Sequence, residues 1–134
     1  SSVFVSKLRK YDIDSIFLLS PTTDDDRIKL IVDQASGFLY YVSLKGVTGS
    51  ANIDIQQVAD RVKNIQKHTD LPIAVGFGVR DAKTANEVAL VSDAVVIGSR
   101  IVREIEDADP DSLIPKISSL MTEIKSAIDS KREK

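Results

Sequence analysis

The chain has 134 residues, a formal net charge of -2 from 18 Lys and Arg against 20 Asp and Glu, and 43% hydrophobic residues, which is typical of one globular domain. The near-neutral charge disfavours nucleic acid and anionic lipid as partners, and no apolar run approaches the roughly 20 residues that span a bilayer. Cysteine is absent, which excludes disulfides and thiolate catalysis and makes the cytoplasm the expected compartment.

Strand-like and helix-like segments alternate along the chain. A helical pattern over the first residues precedes four apolar segments that we interpret as strands, at about 15–19, 38–42, 72–76 and 93–97. The run Ile16 to Leu19 is apolar without alternation, which predicts a strand covered on both faces.

Each predicted strand is followed by a predicted helix. Thr22 or Thr23 is expected to cap the first of these, Asp54 opens the next, and a short helical segment from Arg100 to Ile105 follows the last strand. This order predicts an α/β fold with a parallel sheet and right-handed crossovers.

Four βα units amount to half of a parallel (βα)8 TIM barrel, which needs about 250 residues. We therefore interpret residues 1–134 as a single half-barrel. The inner face and the two edge strands of such a sheet would be uncovered, so we expect self-association or cover by a missing half.

Small residues follow the strands at the edge where barrels bind phosphate. Gly49, Gly78, Gly98 and Ser99 lie in loops after strands, and the short helix that begins near Arg100 would point its positive end at an anion. The alternative is that these glycines only form tight turns.

Three apolar side chains, Leu18, Tyr40 and Phe77, lie near the ends of successive strands. They are candidates for the wall of a pocket around a flat apolar group, and ordinary core packing is the alternative. The small residues between Leu44 and Ile53 suit a mobile lid.

No convincing catalytic or metal site is found. His68 is expected at a helix end, Asp93 at the edge opposite the binding loops, and Asp24, Asp25 and Asp26 in a solvated first helical turn. Lys45, Arg80 and Arg100 border the candidate phosphate loops, and surface exposure is the alternative for each.

Five segments closely resemble, in order and spacing, the C-terminal half of the tryptophan synthase alpha subunit family. They are Ile16 to Thr22, Gly37 to Ser43, Gly46 to Gly49, Leu71 to Val79 and Val96 to Val102. The resemblance covers nearly the whole chain, and its Gly-Val-Thr-Gly loop with the Val-Gly-Phe-Gly strand end is its most specific part.

The resemblance implies a (βα)8 lyase that cleaves indole-3-glycerol phosphate into indole and glyceraldehyde 3-phosphate. Indole then passes to a beta subunit in a heterotetramer, and pyridoxal phosphate is expected only in that partner. The alpha-type chain itself is expected to use no cofactor and no metal.

Carried over by position, the resemblance makes Gly49, Gly78, Gly98 and Ser99 the phosphate-binding residues and Leu18, Tyr40 and Phe77 the walls of the indole pocket. Thr48 resembles the lid threonine.

The family's two catalytic carboxylates belong to the N-terminal half, and no residue here matches them. We expect this chain alone to bind phosphate weakly or not at all and to be inactive. Another phosphate-binding barrel enzyme and a non-catalytic half-barrel are the alternatives.

Overall fold

The strands and helices alternate in the predicted order in the computed structural model, which describes residues 2–43, 54–76 and 78–130. The elements are α1 (Ser2–Lys10), β1 (Phe17–Leu19), α2 (Asp25–Val32), β2 (Leu39–Val42), α3 (Ile55–Gln66), β3 (Ile73–Gly76), α4 (Ala82–Ala89), β4 (Ala94–Val96), α5 (Ser99–Asp107) and α6 (Pro110–Asp129). The four strands form one parallel sheet in the order β1-β2-β3-β4. The predicted α/β fold with a parallel sheet is confirmed.

Aspartate side chains begin three of the helices. Asp24, Asp54 and Asp81 accept hydrogen bonds from backbone amides three residues ahead, at 2.8, 3.1 and 2.8 Å. The prediction that a threonine caps α2 is wrong, because Asp24 reaches the free amides of that helix. Thr23 instead accepts a hydrogen bond from the backbone amide of Ser20 and closes the loop after β1.

The hydrophobic core lies on one face of the sheet. Leu19, Leu39, Tyr41, Ile73 and Val75 point to this outer face and are almost fully buried. Apolar side chains from the helices complete the core, namely Ile28, Val58, Val62, Ile65, Ala85, Val88 and Ile124. The side chain of Asn86 donates to the carbonyl of Ala127 and ties α4 to α6.

The strand residues that alternate with these core residues point to the opposite, inner face of the sheet. Leu18, Tyr40, Ala74 and Ala94 are register partners across the four strands, and Leu18 is 64% exposed. The prediction that β1 is covered on both faces is therefore wrong, because the described residues place their helices on the outer face alone. No described helix is long and apolar enough to cross a lipid bilayer.

Candidate functional site

The ends of β3 and β4 bring two of the predicted phosphate-binding glycines to one edge of the sheet. Gly76 and Val96 are register partners, and Gly78 and Gly98 each lie two residues beyond them. Gly78 has a φ of +79°, a conformation that glycine adopts without the strain of a side chain. Two neighbouring loops thus leave the sheet at the edge where α/β barrels bind their ligands.

Helix α5 begins directly at this edge. Gly98 is its N-cap, and the Gly98 carbonyl accepts from the amides of Ile101 at 2.9 Å and Val102 at 3.1 Å. The first amides of a helix, here Ser99 and Arg100, have no acceptor within the helix and carry the positive end of its dipole. Among the described residues, no atom lies within 4 Å of a β-carbon built on residue 98, so they leave the space in front of this turn open.

The end of β2 is fixed to the end of β3. Both the backbone amide and the hydroxyl of Ser43 donate to the carbonyl of Gly76, at 3.1 and 3.2 Å. Ser43 is buried, so these bonds lie out of water and hold the two strand ends together.

Four residues that the sequence singles out lie outside the described residues. They are Lys45, Thr48, Gly49 and Phe77. The predicted phosphate site is therefore described at Gly78, Gly98 and Ser99, and the predicted indole pocket at Leu18 and Tyr40.

Leu18 and Tyr40 are direct register partners on the inner face. The Tyr40 side chain extends along the strand direction until its hydroxyl covers Gly76, and a β-carbon there would overlap that hydroxyl. The aromatic ring therefore lies next to the strand end from which the Gly78 loop departs. The two predicted pocket walls that the structure describes, Leu18 and Tyr40, therefore lie on the same surface.

A cleft of about 490 Å³ opens beside Leu18 at the end of β1. Ser20, Thr22, Asp24 and Arg27 line it together with Leu18. Hydroxyl, carboxylate and guanidinium groups thus border the open apolar face on this side.

An arginine on α3 holds the loop after β1, and the sequence reasoning missed it. Arg61 donates from Nη2 to the carbonyl of Thr23 and also hydrogen-bonds the hydroxyl of Tyr41. Burial raises the pKa of Tyr41, and the nearby guanidinium opposes part of that rise. The spacing of Arg61 along the helix could have identified it. Arg61 lies three residues after Val58 and four before Ile65, which places it on the buried side of an amphipathic helix.

Asn64, one turn along α3, reinforces the same connection. Its side-chain amide donates to the Asp25 carboxylate at 2.7 Å. Arg61 and Asn64 together attach α3 to both the loop after β1 and the start of α2.

The fold accounts for the positions of three other polar candidates, Asp93, His68 and Arg100. The Asp93 carboxylate accepts from the Ile73 amide at 2.8 Å at the opposite edge of the sheet, and His68 follows the end of α3. Arg100 pairs with Glu104 one turn along α5. In the described ranges, no three His, Asp or Glu side chains come close enough to hold a metal ion.

Comparisons with known proteins agree on one family. The chain is 54% identical over 126 residues to the tryptophan synthase alpha chain of Herminiimonas arsenicoxydans, covering 94% of this chain and 48% of that protein. It is 51% identical over 121 residues to the alpha chain of Thiobacillus denitrificans, covering 90% of this chain and 44% of the relative.

A solved tryptophan synthase subunit alpha from Campylobacter jejuni is 32% identical and superposes with a TM-score of 0.77, over 90% of this chain and 48% of that one. The chain thus spans about half the length of the relatives it matches, and the match is to their C-terminal part. The family model described as tryptophan synthase alpha chain matches residues 1–129, and the chain belongs to this family.

Proposed function

We propose that this chain is the phosphate- and indole-binding half of a carbon–carbon lyase that cleaves indole-3-glycerol phosphate into indole and glyceraldehyde 3-phosphate. The observation that carries the proposal is the arrangement of Gly78, Gly98 and the start of α5 at one edge of the sheet. The described residues leave the space in front of Gly98 open, which gives an anion room to approach backbone amides.

The phosphate ester would be bound by the loops that carry Gly49, Gly78, Gly98 and Ser99. Backbone amides suit this task because glycine lets them approach an anion closely, and the dipole of α5 adds a favourable charge. Arg100, paired with Glu104, lies one residue beyond Ser99.

The indole ring would lie against the inner face of the sheet. Leu18 and Tyr40 offer an apolar and an aromatic surface side by side, and Phe77 would form the third wall. Thr48 would belong to the lid that closes over the bound substrate.

The chemistry needs two carboxylates that this half does not supply. Cleavage requires a proton to be delivered to the ring carbon that carries the glycerol chain while the indole nitrogen gives up its proton; as the carbon–carbon bond then breaks, the glycerol hydroxyl loses its proton and the nitrogen takes one back. Among the described residues at this edge, the carboxylates of Asp24, Asp54 and Asp81 begin helices and accept backbone amides of those helices. We therefore propose that the chain is active only together with the half that its relatives possess.

Indole would pass to a beta subunit that holds pyridoxal phosphate, in the heterotetramer typical of this family. The chain itself would need no cofactor. We assign it to the cytoplasm, where a cysteine-free biosynthetic enzyme is expected.

The test joins this chain to the N-terminal half of the Herminiimonas arsenicoxydans relative and measures indole release from indole-3-glycerol phosphate. We expect turnover by the joined protein and none by the 134-residue chain. Turnover of a different sugar phosphate, with no indole released, would favour another phosphate-binding barrel enzyme.

Gly98→Val in the joined protein tests the phosphate site directly. Its β-carbon meets no atom of the described residues within 4 Å, and the side chain would enter the space in front of the amides, so KM should rise at least about tenfold. Ala108→Val at the other end of α5 is the matched control and should leave KM unchanged. An unchanged KM in Gly98→Val would contradict the assignment of Gly98.

A further inference from the structure

The turn that follows β1, residues 20–23, is closed by its own hydrogen bonds. The amide of Thr23 donates to the carbonyl of Ser20 at 3.0 Å, and the hydroxyl of Thr23 accepts from the amide of Ser20 at 3.0 Å. Thr23 is buried, so water competes little for these bonds. The turn therefore moves as a unit, and a contact that holds Thr23 fixes all of it.

Arg61 holds this turn from the outer side of the sheet. Its guanidinium donates to the carbonyl of Thr23 and hydrogen-bonds the hydroxyl of Tyr41, a core residue of β2. A guanidinium suits this double contact because its donors lie in a rigid planar fork. One side chain of α3 thus sets the distance between the turn after β1 and the strand β2.

The same two segments carry the described walls of the predicted indole pocket. Leu18 lies two residues before the turn, and Tyr40 directly precedes Tyr41. Leu18 and Tyr40 are register partners on the inner face, and the turn lines the cleft that opens beside Leu18. Because Tyr41 points to the outer face, Arg61 lies behind the pocket and acts on it through the backbone.

We propose that Arg61 is a positioning residue for the indole ring, which sets the width of the pocket by fixing the turn after β1 against β2. This inference rests on the proposed function, because that function supplies the indole ring. The effect belongs to the indole end of the substrate. Gly78 and Gly98 follow β3 and β4, whereas the described hydrogen bonds of Arg61 go to the turn after β1 and to β2.

A small displacement of one wall is enough to weaken binding. Dispersion attraction falls steeply with distance, and a gap of about 0.5–1 Å forfeits a quarter to a half of it. A flat ring that loses close contact on one side also loses the geometry that favours an aromatic neighbour such as Tyr40. We therefore expect loss of Arg61 to weaken the binding of an indole ring at least about fivefold.

The test uses the joined protein and measures the binding of two separate parts of the substrate by titration calorimetry. 3-Methylindole probes the indole end, and glycerol 3-phosphate probes the phosphate end. In Arg61→Ala the dissociation constant of 3-methylindole should rise at least about fivefold, and that of glycerol 3-phosphate should change less than about twofold. Arg61→Lys keeps a charged donor for one of the two acceptors, so it should recover part of the lost affinity.

Three control variants separate positioning from stability. Asp93→Ala removes a hydrogen bond at the opposite edge of the sheet, and although it should destabilise the fold, it should leave both dissociation constants within about twofold. Lys63→Ala on the exposed side of α3 should also change neither constant beyond about twofold. Gly98→Val should give the reverse of the Arg61→Ala pattern, with weaker binding of glycerol 3-phosphate alone.

Two results would overturn the role of Arg61. They are native affinity for 3-methylindole in Arg61→Ala and an equal loss of affinity for both probes. If Arg61→Ala does not fold, Arg61→Lys decides, and it should weaken 3-methylindole binding at least about twofold with glycerol 3-phosphate unaffected. Indole release tests the proposed function separately, so a joined protein that binds both probes but releases no indole would contradict that function, while the two dissociation constants still decide the role of Arg61.

Discussion

The hydroxyl of Tyr40 lies over Gly76 at the place that a β-carbon on residue 76 would occupy. Such a carbon would overlap the Tyr40 hydroxyl and lie 3.0 Å from the β-carbon of Val96. Gly76 is thus required by the packing of its neighbours on the inner face, at the strand end that precedes the Gly78 loop.

Gly76→Ala is expected to destabilise the protein by about 1–3 kcal/mol, because the Tyr40 ring must move to make room. Urea unfolding followed by circular dichroism measures this. Gly98→Ala is the control: its β-carbon meets no atom of the described residues within 4 Å, so its cost is limited to that of alanine at a helix N-cap and should be less than half that of Gly76→Ala.

The combination of Gly76→Ala with Tyr40→Leu tests the cause. If the overlap with the tyrosine is the reason, the cost of Gly76→Ala should fall by at least half in the Tyr40→Leu background. If the losses in unfolding free energy from Gly76→Ala and Tyr40→Leu were strictly additive, the destabilisation by the alanine would come from Val96 or the backbone and not from Tyr40.

Asp81 links helix capping to acid stability. Hydrogen bonds from the Thr84 amide and hydroxyl lower the pKa of the Asp81 carboxyl in the folded protein. A lowered folded pKa means that the stabilisation is present above the unfolded pKa, near 3.8, and is lost as the pH falls through the folded pKa.

Asp81→Ala should therefore cost about 1 kcal/mol at pH 7, and the difference from the native protein should shrink below about pH 4. Thermal unfolding of the two proteins from pH 7 down to pH 3 measures this. Asp60→Ala on the exposed side of α3 is the control and should cost less than about 0.5 kcal/mol at pH 7. A cost that stays constant with pH would rule out the charged cap.

Asp93 fixes the start of β4 to the start of β3. Its carboxylate accepts from the Ile73 amide at 2.8 Å, and its own amide donates to the Ile73 carbonyl at 3.0 Å. Asp93→Ala leaves the amide of fully buried Ile73 without that acceptor, so we expect a loss of about 1–3 kcal/mol in unfolding free energy. Asp93→Asn retains an acceptor oxygen and should lose less than half as much, and equal losses would contradict this role.

The strands and the parallel order could be predicted because apolar runs, and the glycines that end them, are local signals in the sequence. Which faces of the sheet are covered could not be predicted, because an apolar run such as Ile16 to Leu19 is compatible with burial of one face or of both. The cap of α2 was missed for a related reason. Thr23 and Asp24 are both good caps, and only the turn that occupies Thr23 decides between them.

One part of the candidate site could be predicted from the sequence and another part could not. The glycines after β3 and β4 follow from spacing, because parallel strands end at one edge. The contact between Arg61 and the loop after β1 joins residues 38 positions apart, and no local pattern specifies such a contact.

Arg61 provides the last prediction. Its side chain bridges the Thr23 carbonyl and the Tyr41 hydroxyl, and its Nε is buried with no hydrogen-bond partner among the described residues. Arg61→Ala removes a charged donor from both acceptors, and we expect a loss of about 2–3 kcal/mol in the free energy of unfolding. Lys63→Ala, on the exposed side of the same helix, is the matched control and should cost less than about 0.5 kcal/mol.

A double-mutant cycle separates the two contacts of Arg61. Tyr41→Phe removes only the hydroxyl, so if that contact stabilises the fold, Arg61→Ala should cost less in the Tyr41→Phe background by about 0.5–1.5 kcal/mol. The remaining cost would belong to the bond with Thr23, and faster hydrogen exchange in the loop after β1 should accompany it. A loop whose exchange is unchanged in Arg61→Ala would show that α3 does not hold the site's first loop in place.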